Sequence, residues 1–251
     1  MSLGEAFLVL AAGLAAGTIN TVVGSGTLIT FPTLLAIGLD PVAANVSNTI
    51  GLVPGSLSGA VGYRRELSGQ RSRLLRLAPA ATAGGLVGAV LLLVLPDDAF
   101  DAIVPALIGV GCVLVAVQPW LTRLLGRDGR EERPPHGSVL VVVLIFLTGV
   151  YGGYFGAAQG VLLIAIMGLL LDAHLQRVNA VKNVLALLVN GVAAVVFVVI
   201  ADPDWAVVGL IALGASVGGQ IGATVGRRLP PVAFRVFIVV VGVVAIWRLL
   251  A

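Results

Sequence analysis

Two short polar runs stand out in an otherwise apolar chain, Asn45-Val-Ser47-Asn48-Thr49 and Asn179-Ala-Val-Lys182-Asn183. Asn45, Asn48 and Thr49 fall at i, i+3 and i+4, as do Asn179, Lys182 and Asn183, so each set makes one face of a helix. Amides and hydroxyls at this spacing recognise a solute through hydrogen bonds, and Lys182, the only lysine in the chain, adds a positive charge. Such groups are costly in hydrocarbon unless they are paired, so their presence needs a reason. Neither a catalytic dyad nor a set of metal ligands accompanies them, which speaks against an intramembrane enzyme. The chemistry suits an anion, and an uncharged solute stays open. Lys182 also has a second reading, in which it sits about a turn inside the membrane and snorkels to the surface beside Arg177.

Ahead of each polar run lies a break rich in small residues: Val23-Gly24-Ser25-Gly26-Thr27 and Phe155-Gly156-Ala157-Ala158-Gln159-Gly160. Glycine permits a tight turn and lets a ligand approach the backbone. Helices starting at these breaks would turn their N-terminal N–H groups, with a partial positive charge, into the protein. Broken helices in corresponding places of two inverted halves point to a transporter's binding site. The candidate set is therefore Ser25, Gly26, Asn45, Asn48, Thr49, Gln159, Gly160, Asn179, Lys182 and Asn183. The plainer alternative is that the glycines only let helices pack. That is the expectation for Gly214, Gly218, Gly222 and Gly226, a four-residue ladder along one face, and for its echo at Ala80, Gly84 and Gly88.

The elements that must hold these groups are membrane spans. Of the 251 residues, 59% are hydrophobic and 11% charged, against roughly 25% charged in a soluble domain. Most apolar stretches approach the ~20 residues that cross a bilayer core, but 27–37 and 161–171, which follow the breaks, are too short. The first stretch, from Phe7 to Val23, lacks a basic n-region and a cleavage site and is expected to be a retained span. Cys112 is the only cysteine, His136 and His174 lie in loops, and the acidic residues, Asp40 and Asp172 among them, lie at segment ends. No cofactor or metal site is expected. The basic pI near 9.6 reflects loop arginines that orient spans in a membrane, with no nucleic acid implied.

An offset of 134 residues superposes the two halves without a gap. Gly26 falls on Gly160, Asn45 on Asn179, Gly84-Gly85 on Gly218-Gly219, Leu95-Pro96 on Leu229-Pro230 and Ala99-Phe100 on Ala233-Phe234. The loop charges reverse between the copies. Arg64, Arg65, Arg71, Arg73 and Arg76 stand opposite Asp202 and Asp204, and Asp97, Asp98 and Asp101 stand opposite Arg227, Arg228 and Arg235. Basic loops face the cytoplasm, so the copies are inverted, each half crosses an odd number of times, and both termini are expected outside the cell membrane. The predicted fold is an all-α polytopic membrane protein of two inverted repeats, each a broken short helix or hairpin followed by three spans, about 8 to 10 membrane segments in all. The repeats would occupy 1–122 and 138–251, joined by a cytoplasmic linker over 123–137.

The pattern Gly17-x-x-Asn20 through Gly24-Ser-Gly-Thr-Leu-Ile-Thr-Phe-Pro32, then Ala44-Asn-Val-Ser-Asn48, resembles the first half of the sulfite exporter TauE/SafE family. Gly152-Gly-Tyr-Phe-Gly156-Ala-Ala-Gln-Gly160 and Gln176-Arg-Val-Asn-Ala-Val-Lys-Asn183 resemble its second half. The resemblance implies a permease for small anions, with sulfite, organosulfonates and related sulfur compounds the usual associations, commonly as export. Many relatives carry three glycines in each turn, where this chain has Gly24-Ser25-Gly26 and Ala158-Gln159-Gly160. The expected partners are a small anion and the lipid bilayer, and a homo-oligomer stays open. So do a transporter of another solute, a channel, and a receptor or scaffold whose polar faces merely join helices.

Overall fold

The computed structural model describes residues 1–127, 138–171, 174–225 and 231–250, and within them the chain forms ten helices and no strand. The first half holds α1 (Leu3–Val22), α2 (Thr27–Ala36), α3 (Pro41–Gly62), α4 (Arg71–Val94) and α5 (Asp97–Arg127). The second holds α6 (Val139–Tyr154), α7 (Gln159–Leu170), α8 (Leu175–Ile200), α9 (Trp205–Thr224) and α10 (Pro231–Leu250). The starts of α3, α4 and α5 and those of α8, α9 and α10 are each separated by 134 residues, so the sequence repeat is also a repeat of elements. The linker expected over 123–137 lies outside the described residues from 128 onward, as do Asp172, Gly226, Arg227 and Arg228.

Local signals set the helix starts. Ser2 and Glu5 form a reciprocal capping box at α1. Asp40 caps α3 by accepting from the Val42 and Ala43 N–H groups, with Pro41 at the first helical position. Asp204 caps α9 in the same way, accepting from Ala206 at 3.0 Å and Val207 at 3.1 Å.

Among the described residues five helical stretches are long and apolar enough to cross a membrane: α1, α4, residues 98–117 of α5, α8 and α9. Helix α3 is long enough as well, but its polar stripe lowers its hydropathy. Large apolar side chains such as Phe7, Val94, Val199 and Leu213 point outward, which is favourable only against lipid. The chain is thus a multi-pass membrane protein. Helices α2 and α7, with 10 and 12 residues, span only about 15 and 18 Å. Each is the short arm of a hairpin whose long arm is α1 or α6.

The packing fixes the direction of the helices. Gly214 lies against Leu10, Gly218 against Leu14 and Gly222 against Thr18, so α1 and α9 run parallel. Gly84 against Phe146 and Gly88 against Val150 make α4 and α6 parallel in the same manner. These two seams are exchanged by the repeat. A Cβ at Gly218 would come within 2.1 Å of the Leu14 carbonyl oxygen, and one at Gly88 equally close to that of Val150. The glycine ladders are close-packing surfaces, as expected from their spacing.

Helices α3 and α8 are equivalent and antiparallel. Tyr63, at the end of α3, meets Asn179 near the start of α8. Ser47, near the start of α3, meets Asp204 just past the end of α8. Equivalent helices that run in opposite directions make the two halves inverted copies.

Candidate functional site

The two breaks meet. The Gly160 N–H donates to the Gly24 carbonyl at 3.0 Å, and a Cβ on Gly24 would lie 2.4 Å from the Gly160 Cα. Gly24 has φ +89 and Gly156 φ +74, conformations that glycine adopts freely. Ala158, the counterpart of Gly24, takes φ +59 despite its side chain, and the Tyr151 hydroxyl fastens this turn by donating to the Ala157 carbonyl. Phe155 closes the second turn from the side, in edge contact with Phe31 and Phe100.

All ten candidate residues are buried. The second polar face converges on the broken end of α1, whose last carbonyls have no helical partner. Lys182 Nζ donates to the Asn20 carbonyl at 2.7 Å and to the Thr21 carbonyl at 3.0 Å. Asn179 Nδ2 donates to Thr21 O at 3.2 Å and to the Tyr63 hydroxyl at 2.8 Å. Asn183 Nδ2 adds a third donor to Thr21 O at 3.3 Å. Lys182 is 1% exposed and points to the interior, which corrects the snorkelling alternative: its ammonium is held by the carbonyls at the end of α1. Its stem passes Gly160, where a Cβ would approach Lys182 Cδ to 2.9 Å.

The first polar face is arranged less symmetrically than the repeat suggests. Asn45 Nδ2 donates to the Tyr154 carbonyl at 2.8 Å, capping α6 as Asn179 caps α1. Asn48, the counterpart of Lys182, stays within its own half: it accepts from the Thr30 hydroxyl and donates to Thr27 Oγ1 at 3.4 Å. Thr49 is buried and takes no part in these contacts. The two faces thus form separate clusters, one at each broken helix end, joined through the Gly24–Gly160 contact.

The turns hold the unmatched groups. Ser25 and Gln159 are counterparts, and Ser25 Oγ and Gln159 Nε2 are buried without a hydrogen-bond partner. Gly26 precedes the first residue of α2 and Gln159 is the first residue of α7, so these donors sit beside helix N-termini. The Gln159 amide lies flat on Gly152, where a Cβ would be 2.4 Å from its Cδ. Asn45 Oδ1 and Asn179 Oδ1, another equivalent pair, also lack partners. Among the described residues no three His, Cys, Asp or Glu are grouped to hold a metal. A groove of about 500 Å³ near Leu8, Pro32, Leu35 and Val240 opens on the apolar flank and contains none of the candidates.

Three further buried polar residues lie on α3 and α8 or at their ends. Tyr63 reaches Asn179 from the far end of α3. Ser56 and Asn190 are again 134 residues apart, both are buried, and the Ser56 hydroxyl has no partner. The two contacts that set the α3–α8 register place both near the middle of that pair. Their shared offset, and their position eleven residues beyond Asn45 and Asn179 on the same helical face, is the sequence signal that finds them.

Comparison with known proteins finds similarity along nearly the whole chain. Residues 9–249 match the family model described as "Sulfite exporter TauE/SafE". A probable membrane transporter protein, ORF9, of a Sinorhizobium species is 29% identical over 98% of this chain and 92% of its own length. The probable membrane transporter protein YfcA of Escherichia coli K12 is 28% identical over 85% of this chain and 76% of its own. A probable membrane transporter protein of Haemophilus influenzae is 25% identical over 84% and 81%.

Proposed function

We infer, since this chain belongs to the sulfite exporter TauE/SafE family of membrane transporters, that it moves a small oxyanion, sulfite or an organosulfonate or related sulfur compound, through the crossing of its two hairpins. One observation carries the choice of an anion: a buried lysine and the two turn donors meet no anionic group of the protein, although the Asn45 and Asn179 side-chain oxygens are unpaired as well. Thr21 O, with two lone pairs, is approached by Asn179, Lys182 and Asn183, while the Ser25 hydroxyl and the Gln159 amide nitrogen have nothing to donate to. Lys182 adds a buried cation whose hydrogen bonds go to neutral carbonyls. A ligand with several anionic oxygens supplies the missing acceptors and the missing charge together.

Ser25 and Gln159 would bind the oxyanion from the two turns, the N-termini of α2 and α7 would add their partial positive charge, and Lys182 would neutralise it. The buried, closed site becomes reachable from either face by relative motion of the inverted halves. The arginine-bearing ends of α3 and α4 face the cytoplasm of a cell membrane, and both termini face outward.

Flux into proteoliposomes tests this with sulfite, sulfate, thiosulfate, sulfonates and carboxylates. The expected result is saturable flux of a sulfur oxyanion that is lost in folded Lys182→Met. Unchanged flux in that variant overturns the role of Lys182. A rise in melting temperature with no flux makes the protein a receptor, and rates far above roughly 10³ per second make it a channel.

A further inference from the structure

The ends of α1 and α6 are equivalent, yet they are held unequally. The α6 end is held by Asn45 on the Tyr154 carbonyl. The α1 end is held by Asn179, Lys182 and Asn183, all from the opposite half. At the position equivalent to Lys182, Asn48 turns instead to Thr27 and Thr30 of its own hairpin. Of these two equivalent positions, only that of Lys182 makes a charged cross-link between the halves.

We infer that Lys182 is a latch opened by the transported anion: it grips the end of α1 in the absence of anion and gives up that grip to a bound oxyanion, so that substrate loosens the α1–α2 hairpin and leaves α6–α7 in place. This rests on the anion-transport reading above. The ammonium makes charge-assisted bonds to the neutral carbonyls already, and an anionic oxygen adds the attraction of an ion pair to them. The exchange needs only side-chain rotation, because the Lys182 stem already lies beside Gly160, next to Gln159. When Lys182 leaves, the Thr21 carbonyl keeps Asn179 and Asn183, whereas the Asn20 carbonyl loses its side-chain donor. What is released is one turn of α1, directly ahead of the Gly24 break.

Amide hydrogen exchange of the full chain in lipid nanodiscs, with and without sulfite, reads the latch, and the sulfite-induced shift in melting temperature reads binding separately. Sulfite is expected to speed exchange over 17–30 by about tenfold and to leave 151–164 unchanged. Lys182→Met is expected to show the faster exchange over 17–30 without sulfite and no further response. Lys182→Gln, which keeps a donor without the charge, replaces it if the Met variant does not fold. If sulfite binds and both hairpins respond alike, or 17–30 becomes more protected, the latch is overturned while anion transport stands. If no anion in the panel raises the melting temperature, the anion reading fails and the latch fails with it.

Discussion

The Gly160 N–H donates to the Gly24 carbonyl at 3.0 Å, and this bond ties the turn of one half to the turn of the other. It sits where two backbones approach too closely for any side chain, so the contact depends on two glycines that the repeat does not pair with each other. Ala158, not Gly160, is the counterpart of Gly24. The consequence is an asymmetry that substitutions should expose.

Gly24→Ala places a Cβ 2.4 Å from the Gly160 Cα and forces a side chain into positive φ. A destabilisation of roughly 1–3 kcal/mol is expected from overpacking alone, visible as a lower melting temperature and loss of monodisperse protein in detergent. Ala158→Gly removes a side chain from left-handed backbone and is expected to fold with an unchanged or slightly higher melting temperature. Equal losses in the two variants would refute the close approach.

Ser25→Ala and Gln159→Ala remove donors that have no protein partner. Folding should hardly change, and affinity for the anion should fall by roughly 0.5–1.5 kcal/mol each, or about 2- to 12-fold. Isothermal titration of the purified variants measures it. A melting temperature that drops with no change in affinity would make both residues structural.

Ser56→Ala and Asn190→Ala probe the middle of the α3–α8 pair. Each is expected to lower the flux several-fold at subsaturating anion while leaving the melting temperature within a few degrees of the parent. Wild-type flux in the double variant would remove this pair from the path.

Gly218→Ala should act without touching the site. Its Cβ meets the Leu14 carbonyl, forcing α1 and α9 apart at a cost of roughly 1–3 kcal/mol. Gly88→Ala, on the exchanged seam, should lose about as much. Thermal unfolding followed by tryptophan fluorescence compares the two.

The inversion, the hairpins and the polar faces were legible in the sequence because each leaves a mark in side-chain pattern: the 134-residue offset, the short apolar runs, and the i, i+3, i+4 spacing of Asn45, Asn48 and Thr49. The partners of those faces were not legible. Asn179, Lys182 and Asn183 bind backbone carbonyls of Asn20 and Thr21, and a carbonyl left over at a broken helix looks like any other in a sequence. Nor was it legible that Asn48, at the position equivalent to Lys182, bonds inside its own hairpin. Ser56 and Asn190 stand apart from the polar runs, separated from Thr49 and Asn183 by mostly apolar residues, and only the offset relates them.

The seam between α1 and α9 also constrains how the protein is made. Helix α1 ends at Val22 and its parallel partner begins at Trp205. A ribosome delivers the first helix long before the surface that fits Gly13 and Gly17, which lie against Ile211 and Ala215. Until then that face must rest against lipid or the insertion machinery. Assembly is therefore a late step that waits for nearly the whole chain, as expected where a helix packs on a partner distant in sequence. A nascent chain arrested before Trp205 would be inserted but unassembled, and thus a natural target for membrane quality control.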